Sequence, residues 1–227
     1  MRYNLANELW NIGAVLTKDS DSSLVVTRGQ ERGFLSKTHE DNPGAPLLPI
    51  FLNFRTPDNP RPGPLTPDIV NLSARCLYMM IGAKGLDYDA IAGVPRAGGP
   101  FAESFCKIEN TTCIPMYKWE YGGKRRIESL KDFVPVHVKR VIVIDDVVHK
   151  GRSKVETVMV IRDGGLEVTD IVVLADYELG GRNELAKLSC NLHSVFAVRE
   201  LVDFFAAEEK MPSQLRDEIQ AYLAQPA

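Results

Sequence analysis

The chain has 227 residues, a formal net charge of −3, 44% hydrophobic residues and 25% charged residues. That is room for one sizeable core with a small appendage, and the lack of a basic excess argues against a nucleic-acid module. The cysteines Cys76, Cys106, Cys113 and Cys190 form no CxxC pair, so neither a zinc site nor a redox dithiol is indicated, and no apolar run approaches the ~20 residues of a membrane span. With no apolar leader in MRYNLANELW, the expected location is the cytoplasm, with no membrane partner.

Residues 4–15 read as an amphipathic helix with Leu5, Leu9 and Ala14 or Val15 on one face. SLVV (23–26) is a short apolar stretch, and 28–47 is a polar loop or insertion. PIFLNFR (49–55) suits a strand, whereas TPDNPRPGPLTP (56–67), with five prolines, must be a connection. A helix then starts with Thr66 as N-cap, Pro67 in its first position and Asp68 in its first turn, and Ile69, Leu72, Cys76 and Met79 are expected to line its apolar face.

From there apolar runs recur at 89–94, 113–117, 140–145, 170–176 and 194–198. Helical stretches fall at 100–109, 152–163, 182–188, 199–208 and 213–223. Nearly continuous apolar strands are those covered on both faces, and their alternation with helices predicts an α/β fold: a parallel twisted sheet flanked by helices. The basic, glycine-containing interval 119–139 reads as a mobile loop or a β-hairpin.

The stretch with the most chemistry is VIVIDDVVHKGRS (141–153). Ligands of open α/β sheets bind beyond the carboxyl ends of the strands, which is where this run places Asp145 and Asp146. The next helix begins near Gly151, and its unpaired N–H groups and dipole favour an anion. Lys150, Arg152 and the Ser153 hydroxyl add to that cradle. A carboxylate pair beside a phosphate cradle suits a phosphorylated sugar. The stretch is neither a Walker A loop nor a dinucleotide-binding glycine fingerprint.

VIVIDDVVHKGRS resembles the 5-phosphoribosyl-1-pyrophosphate (PRPP) signature of type I phosphoribosyltransferases. IAGVPRAGGPFA (91–102) is similar to that family's pyrophosphate loop. The stretch 168–205 is similar in order and spacing to orotate phosphoribosyltransferases, and ELWNIGAV and PIFLNFR resemble the hood that covers the base. The similarity spans roughly residues 4–208.

The resemblance implies the type I phosphoribosyltransferase fold with a small N-terminal hood. The division expected is a hood region with an inserted loop at 1–65, a transferase core at 66–210 and a C-terminal helix at 211–227. It implies transfer of ribose 5-phosphate from PRPP to a nitrogenous base, nominally orotate, with release of pyrophosphate, a step of pyrimidine biosynthesis. The alternative on the same fold is a catalytically weak PRPP- or nucleotide-binding regulatory protein. Mg²⁺ is expected to arrive on PRPP, with no metal ligand assigned to the protein, and the expected assembly is a homodimer.

Residue by residue, the resemblance makes Asp145 and Asp146 the acids that hold the ribose hydroxyls. Val147 and Val148 lead into the 5-phosphate loop of His149, Lys150, Gly151, Arg152 and Ser153. Arg96, Ala97 and Gly98 form the pyrophosphate turn, joined by Arg125. Lys118 and Lys124, on the basic segment that closes over the site, are the candidate catalytic residues. Thr27, Arg28, Phe51 and Tyr177 are the candidate base contacts. Tyr177 stands where orotate-type enzymes carry an arginine that pairs with the orotate carboxylate; Arg28, Arg55 and Lys150 are the cations that can take its place. His149 and Lys150 replace two small or hydroxyl residues of the phosphate turn, keeping hydrogen-bond donors and adding charge.

Overall fold

The first helix, α1 (Arg2–Asn11), buries Leu5, Ala6 and Leu9 and stops short of the expected residue 15. The amides of Ile12, Gly13 and Ala14 fold back onto the carbonyls of Glu8, Trp10 and Leu9, and Gly13 takes a left-handed φ of 72°. Ala14 and Val15 therefore leave the helix, and Val15 opens β1 (Val15–Thr17). The chain is described by a computed structural model that covers residues 1–225 apart from 37, 38, 40, 41, 122, 123 and 130–133.

Within the expected polar loop a small hairpin forms from β2 (Val26–Arg28) and β3 (Glu31–Gly33), turning at Gly29 with φ 59°. PIFLNFR supplies β4 (Ile50–Leu52), which pairs antiparallel with β1 and sets Val15 opposite Leu52. The proline-rich connection then leads to α2 (Pro67–Lys84). Its Thr66 hydroxyl accepts the Ile69 N–H at 3.4 Å, and Gly85 ends it in the left-handed conformation.

The buried arc of α2 runs through Ile69, Val70, Ser73, Ala74, Cys76, Leu77 and Ile81, and Met79 is 53% exposed. The stripe read from the sequence was thus rotated. This helix packs against α1, against α3 (Gly99–Glu109) and against the sheet, and several neighbours bury an arc that no single apolar spacing reports.

The five parallel strands are β5 (Ala90–Gly93), β6 (Thr112–Ile114), β9 (Val141–Val148), β10 (Asp170–Asp176) and β11 (Asn191–Ala197), in the order β11-β10-β9-β5-β6. The apolar run 113–117 splits at Pro115, which has no N–H to give a ladder. Beyond it the basic segment folds as an antiparallel hairpin of β7 (Met116–Tyr121) and β8 (Lys124–Ser129), the second of the two forms expected for it.

The helices α4 (Arg152–Asp163), α5 (Gly181–Ala186), α6 (Val198–Ala207) and α7 (Ser213–Leu223) complete the fold. Alternate residues of β9 enter opposite layers. Ile142 and Ile144 join a cluster with Leu5, Ile50, Leu77, Phe105 and Phe205, while Val141 and Val143 join one with Val158, Ile161 and Ile171. Each such side chain, fully buried, contributes about 1.5–3 kcal/mol. This two-sided burial holds the carboxyl end of β9 at the centre of the sheet. Among the described residues no helix is long and apolar enough to cross a membrane.

Candidate active site

The acid pair lies near the carboxyl end of the central strand, which runs two residues past it to Val148 and so beyond the expected end at 145. Asp145 and Asp146 are buried, and their own backbone helps to place them. Asp145 Oδ1 accepts the Asp146 N–H at 2.9 Å, and Asp146 Oδ1 accepts the Val147 N–H at 2.6 Å. The other oxygen of Asp145 meets the Lys154 ammonium at 2.5 Å, and Lys154 also donates to the Val147 carbonyl.

Lys154 is a buried lysine that reading by motif passed over. Its signal was there: positions 154, 157, 158 and 161 form one helical stripe, all buried. Desolvation, then the neighbouring Asp145 charge, pushes the Asp146 carboxyl up to about 7. The pair is therefore a carboxyl group held by a lysine, next to an acid that titrates near neutrality.

The turn after β5 lies against this strand. The Val94 N–H donates to the Ile144 carbonyl at 2.8 Å, and Gly98 N–H donates to Val94 O at 2.9 Å. A Cβ on Gly98 would stand 2.4 Å from the Ile144 oxygen, so only glycine permits this approach. Ala97 is half-buried beside it, and Arg96 is exposed with a left-handed φ of 80°, a costly backbone state for a non-glycine residue. Arg96, Ala97 and Gly98 are thus brought next to Asp145.

On the other side, Gly151 with φ 77° starts α4, and its carbonyl accepts the amides of Lys154 and Val155. Gly181 N–H donates to the His149 carbonyl at 2.9 Å, tying the turn to the loop after β10. Ser153 is half-buried; Lys150 and Arg152 are exposed and line an opening of about 450 Å³ together with Leu179, Gly180, Asn183 and Glu184. Val147 and Val148 continue β9, with the Val148 carbonyl accepting the Tyr177 N–H at 3.0 Å.

His149 departs from the expected charged contact. Burial, followed by the Lys150 and Lys154 charges, lowers it to about 4, so the imidazole is neutral near neutral pH. Its ring lies 5.4 Å from the Tyr177 ring, and its Nε2 is buried without a hydrogen-bond partner among the described residues.

Tyr177 is buried, and its hydroxyl is committed to the hood. It accepts the Leu52 N–H at 3.0 Å and donates to the Ile50 carbonyl at 3.4 Å. Burial pushes this phenol well above its ordinary value. Phe51, between those two residues, stacks on Phe34 at 5.4 Å, and the Arg55 guanidinium lies 5.6 Å from its ring centre.

The remaining expected residues lie in peripheral elements. Thr27 and Arg28 are exposed on the β2–β3 hairpin, where Arg28 donates to the Pro43 carbonyl at 2.6 Å. Lys118 stands opposite Ile127 on the face of the β7–β8 hairpin that packs on α4. The side chains of Lys124 and Arg125 lie outside what the structure describes. Among the described residues no group of three or more His, Cys, Asp and Glu gathers as a metal site.

A buried acid pair, a glycine turn pressed against its strand, a second glycine turn that opens α4, and an aromatic strand reached through Tyr177 come together at the carboxyl end of the sheet. No family model matches the chain. The uridine 5'-monophosphate synthase of Bos taurus is 31% identical over 166 residues, 71% of this chain but only 33% of that protein, so the likeness spans about a third of its length. The orotate phosphoribosyltransferase of Saccharolobus solfataricus is 31% identical over 180 residues, 78% of this chain and 85% of the relative. Among solved structures, the UMP synthase of Leishmania donovani covers 98% of this chain and 42% of its own, at 25% identity and a TM-score of 0.70. Fold, site geometry and a relationship along most of the chain agree: it belongs to the orotate phosphoribosyltransferase family.

Proposed function

We propose that this protein transfers ribose 5-phosphate from PRPP to a ring nitrogen of orotate or a closely similar base. The C1–O bond to pyrophosphate breaks as the nitrogen–C1 bond forms, through an oxocarbenium-like state of the kind met in glycosyl transfer. The observation that carries this reading is the buried Asp145–Asp146 pair, set between two glycine turns at the end of the central strand.

In this reading the two acids accept the ribose hydroxyls. The main-chain amides from Lys150 to Ser153, with the Lys150 and Arg152 charges, hold the 5-phosphate. The turn of Arg96, Ala97 and Gly98 receives the pyrophosphate, which leaves with its Mg²⁺ as part of the substrate. Positioning and charge stabilisation do the catalytic work, and the hairpin bearing Lys118, Lys124 and Arg125 closes over the leaving group.

Residues 1–65 act as the hood, and Phe51 stacks on the base. Thr27 and Arg28, on the inserted hairpin, flank its entrance. With no cation at position 177, Arg55 is the partner we assign to the carboxylate: it is half-buried over Phe51, and its charge is felt at Tyr177. We read the working unit as a cytoplasmic homodimer. Tyr117 and Trp119, 43% and 60% exposed on the outer face of the hairpin, support a hairpin shared between copies.

Calorimetric titration with Mg²⁺–PRPP, then with orotate, uracil and purine bases, tests the assignment. Heat with PRPP, then pyrophosphate release with orotate, is the expected result. PRPP binding without turnover on any base identifies a binding protein instead, and absence of PRPP heat overturns the reading. Arg55→Gln should raise the KM for orotate and leave any turnover of uracil unchanged.

A further inference from the structure

We propose that Lys154 is a positioning residue for PRPP: it locks the ribose acid Asp145 to the 5-phosphate turn, so that sugar and phosphate are held as one rigid unit. The inference rests on the transferase reading above and adds to it a residue that acts without touching substrate.

Lys154 closes the turn at both ends. The turn leaves β9 near Val147 and returns as the first turn of α4. On the returning side, the Lys154 main-chain N–H donates to the Gly151 carbonyl at 2.9 Å. On the leaving side, its ammonium donates to the Val147 carbonyl and meets Asp145 Oδ2 at 2.5 Å. The other oxygen, Asp145 Oδ1, accepts the Asp146 N–H, so both oxygens are held and the plane of the carboxyl group is fixed. A carboxylate offers about four lone-pair sites, and those left for hydroxyls are aimed by those already used.

Stability alone does not call for a lysine here. Thr157, Val158 and Ile161 share its buried stripe, where an apolar side chain would pack. Replacing a whole buried ion pair by apolar groups is often neutral or stabilising. A cation in the first turn also opposes the helix dipole, whose positive end lies there. A residue that breaks these local rules inside a binding turn marks a functional constraint. Lys154 is 5% exposed and its ammonium is already engaged twice, so it is no further phosphate ligand. Its effect on substrate passes through Asp145.

The test separates phosphate from sugar. Inorganic phosphate probes the turn alone, ribose 5-phosphate adds the hydroxyls, and Mg²⁺–PRPP adds the pyrophosphate. Calorimetry gives the three Kd values for the parent, for Lys154→Met, and for Lys154→Gln, whose amide keeps a donor for Asp145. The turn retains its tie from Gly181 N–H to the His149 carbonyl, so Lys154→Met should bind inorganic phosphate within about threefold of the parent. Its Kd for ribose 5-phosphate and for PRPP should rise by about 10- to 30-fold. Lys154→Gln should recover part of that loss. In the unsubstituted protein, the ¹⁵N ammonium resonance of Lys154 should move further with ribose 5-phosphate than with inorganic phosphate, because the hydroxyls arrive at the carboxyl group it holds.

A residue that only supports the fold would lower Tm and leave the three Kd values alone, or weaken all three alike; either result overturns the proposal. So does a glutamine variant as impaired as the methionine one. Recovery of PRPP affinity together with stability in Lys154→Met with Asp145→Asn would make the pair dispensable to the sugar, and overturns it too. Should Lys154→Met not fold, an ammonium resonance that responds alike to both phosphates has the same force. If the unsubstituted protein binds neither ribose 5-phosphate nor PRPP, the transferase reading itself has failed. Normal PRPP binding with an indifferent Lys154 removes only this inference.

Discussion

Lys154 is the residue on which the acid pair most depends. A carboxylate as buried as Asp145 is tolerated only with a partner, and removing one side of such a pair costs about 3–5 kcal/mol, because the other charge stays buried. Lys154→Met should therefore lower the unfolding free energy by roughly that amount. The double variant Lys154→Met with Asp145→Asn should recover much of it, since no buried charge is then left over. Urea denaturation of the single and double variants checks both. Equal losses would mean that the contact is incidental.

His149 makes a second prediction, on pH. Its folded value of about 4 lies below the ordinary 6.5, so the unfolded chain takes up a proton first as pH falls. Stability is lost between about 6.5 and 4, by roughly 3 kcal/mol in full. Asp146 runs the other way: its raised value favours the protonated folded state, and its contribution grows as pH falls through about 7. His149→Gln should remove only the first trend, so its Tm should gain on that of the parent steadily from pH 6.5 to 4. Parallel Tm curves would show that the histidine titrates normally.

At the scale of elements, two glycine turns set the distance between the acid pair and its neighbours. Gly98→Ala puts a methyl group against the Ile144 carbonyl and the Val94 backbone, neither of which is a flexible side-chain end. The strand or the turn must move, at roughly 1–3 kcal/mol. Because Asp145 follows Ile144 directly, PRPP affinity should fall together with stability. An alanine variant with the parent's Tm and PRPP Kd would contradict the close packing.

This scale also explains what was legible beforehand. The buried strands β9 and β10 could be read because two-sided burial writes continuous apolar runs, and the Thr66–Pro67 signal marked the start of α2 correctly. The end of α1 and the face of α2 could not, since a glycine turn decided one and several packing partners the other. At the site the acids and glycines were visible because their chemistry follows from residue type and order. The direction of His149, the commitment of the Tyr177 hydroxyl and the pairing of Lys154 depend on chain segments distant in sequence, such as Leu52 and Tyr177, which no local pattern links.

Across the molecule, the hood is a marginal structure tied down at few points. A two-stranded ribbon such as β1–β4 is barely stable alone, and among the described residues the outer edge of β4 has no strand partner. The Tyr177 hydroxyl caps that edge, taking the Leu52 N–H and giving its own proton to the Ile50 carbonyl. A residue at the carboxyl end of the sheet thus holds the strand that bears Phe51. Tyr177→Phe keeps the ring packed on His149 but leaves the buried Leu52 amide unpaired, at about 1–3 kcal/mol.

The loss should be local as well as global. Hydrogen exchange at Leu52 and its ribbon neighbours should accelerate more than exchange in β9 or β10, whose amides open only with the whole sheet. Base KM should rise while PRPP Kd holds, because the hydrogen bonds lost are those to Leu52 and Ile50, and the ring and backbone of residue 177 keep their places beside His149 and Val148. If exchange accelerates equally in β4 and β9, the hydroxyl supports the core as a whole. If neither changes, the ribbon is held by the burial of Val15, Ile50 and Leu52 in the core, and position 177 is free to vary without disturbing it.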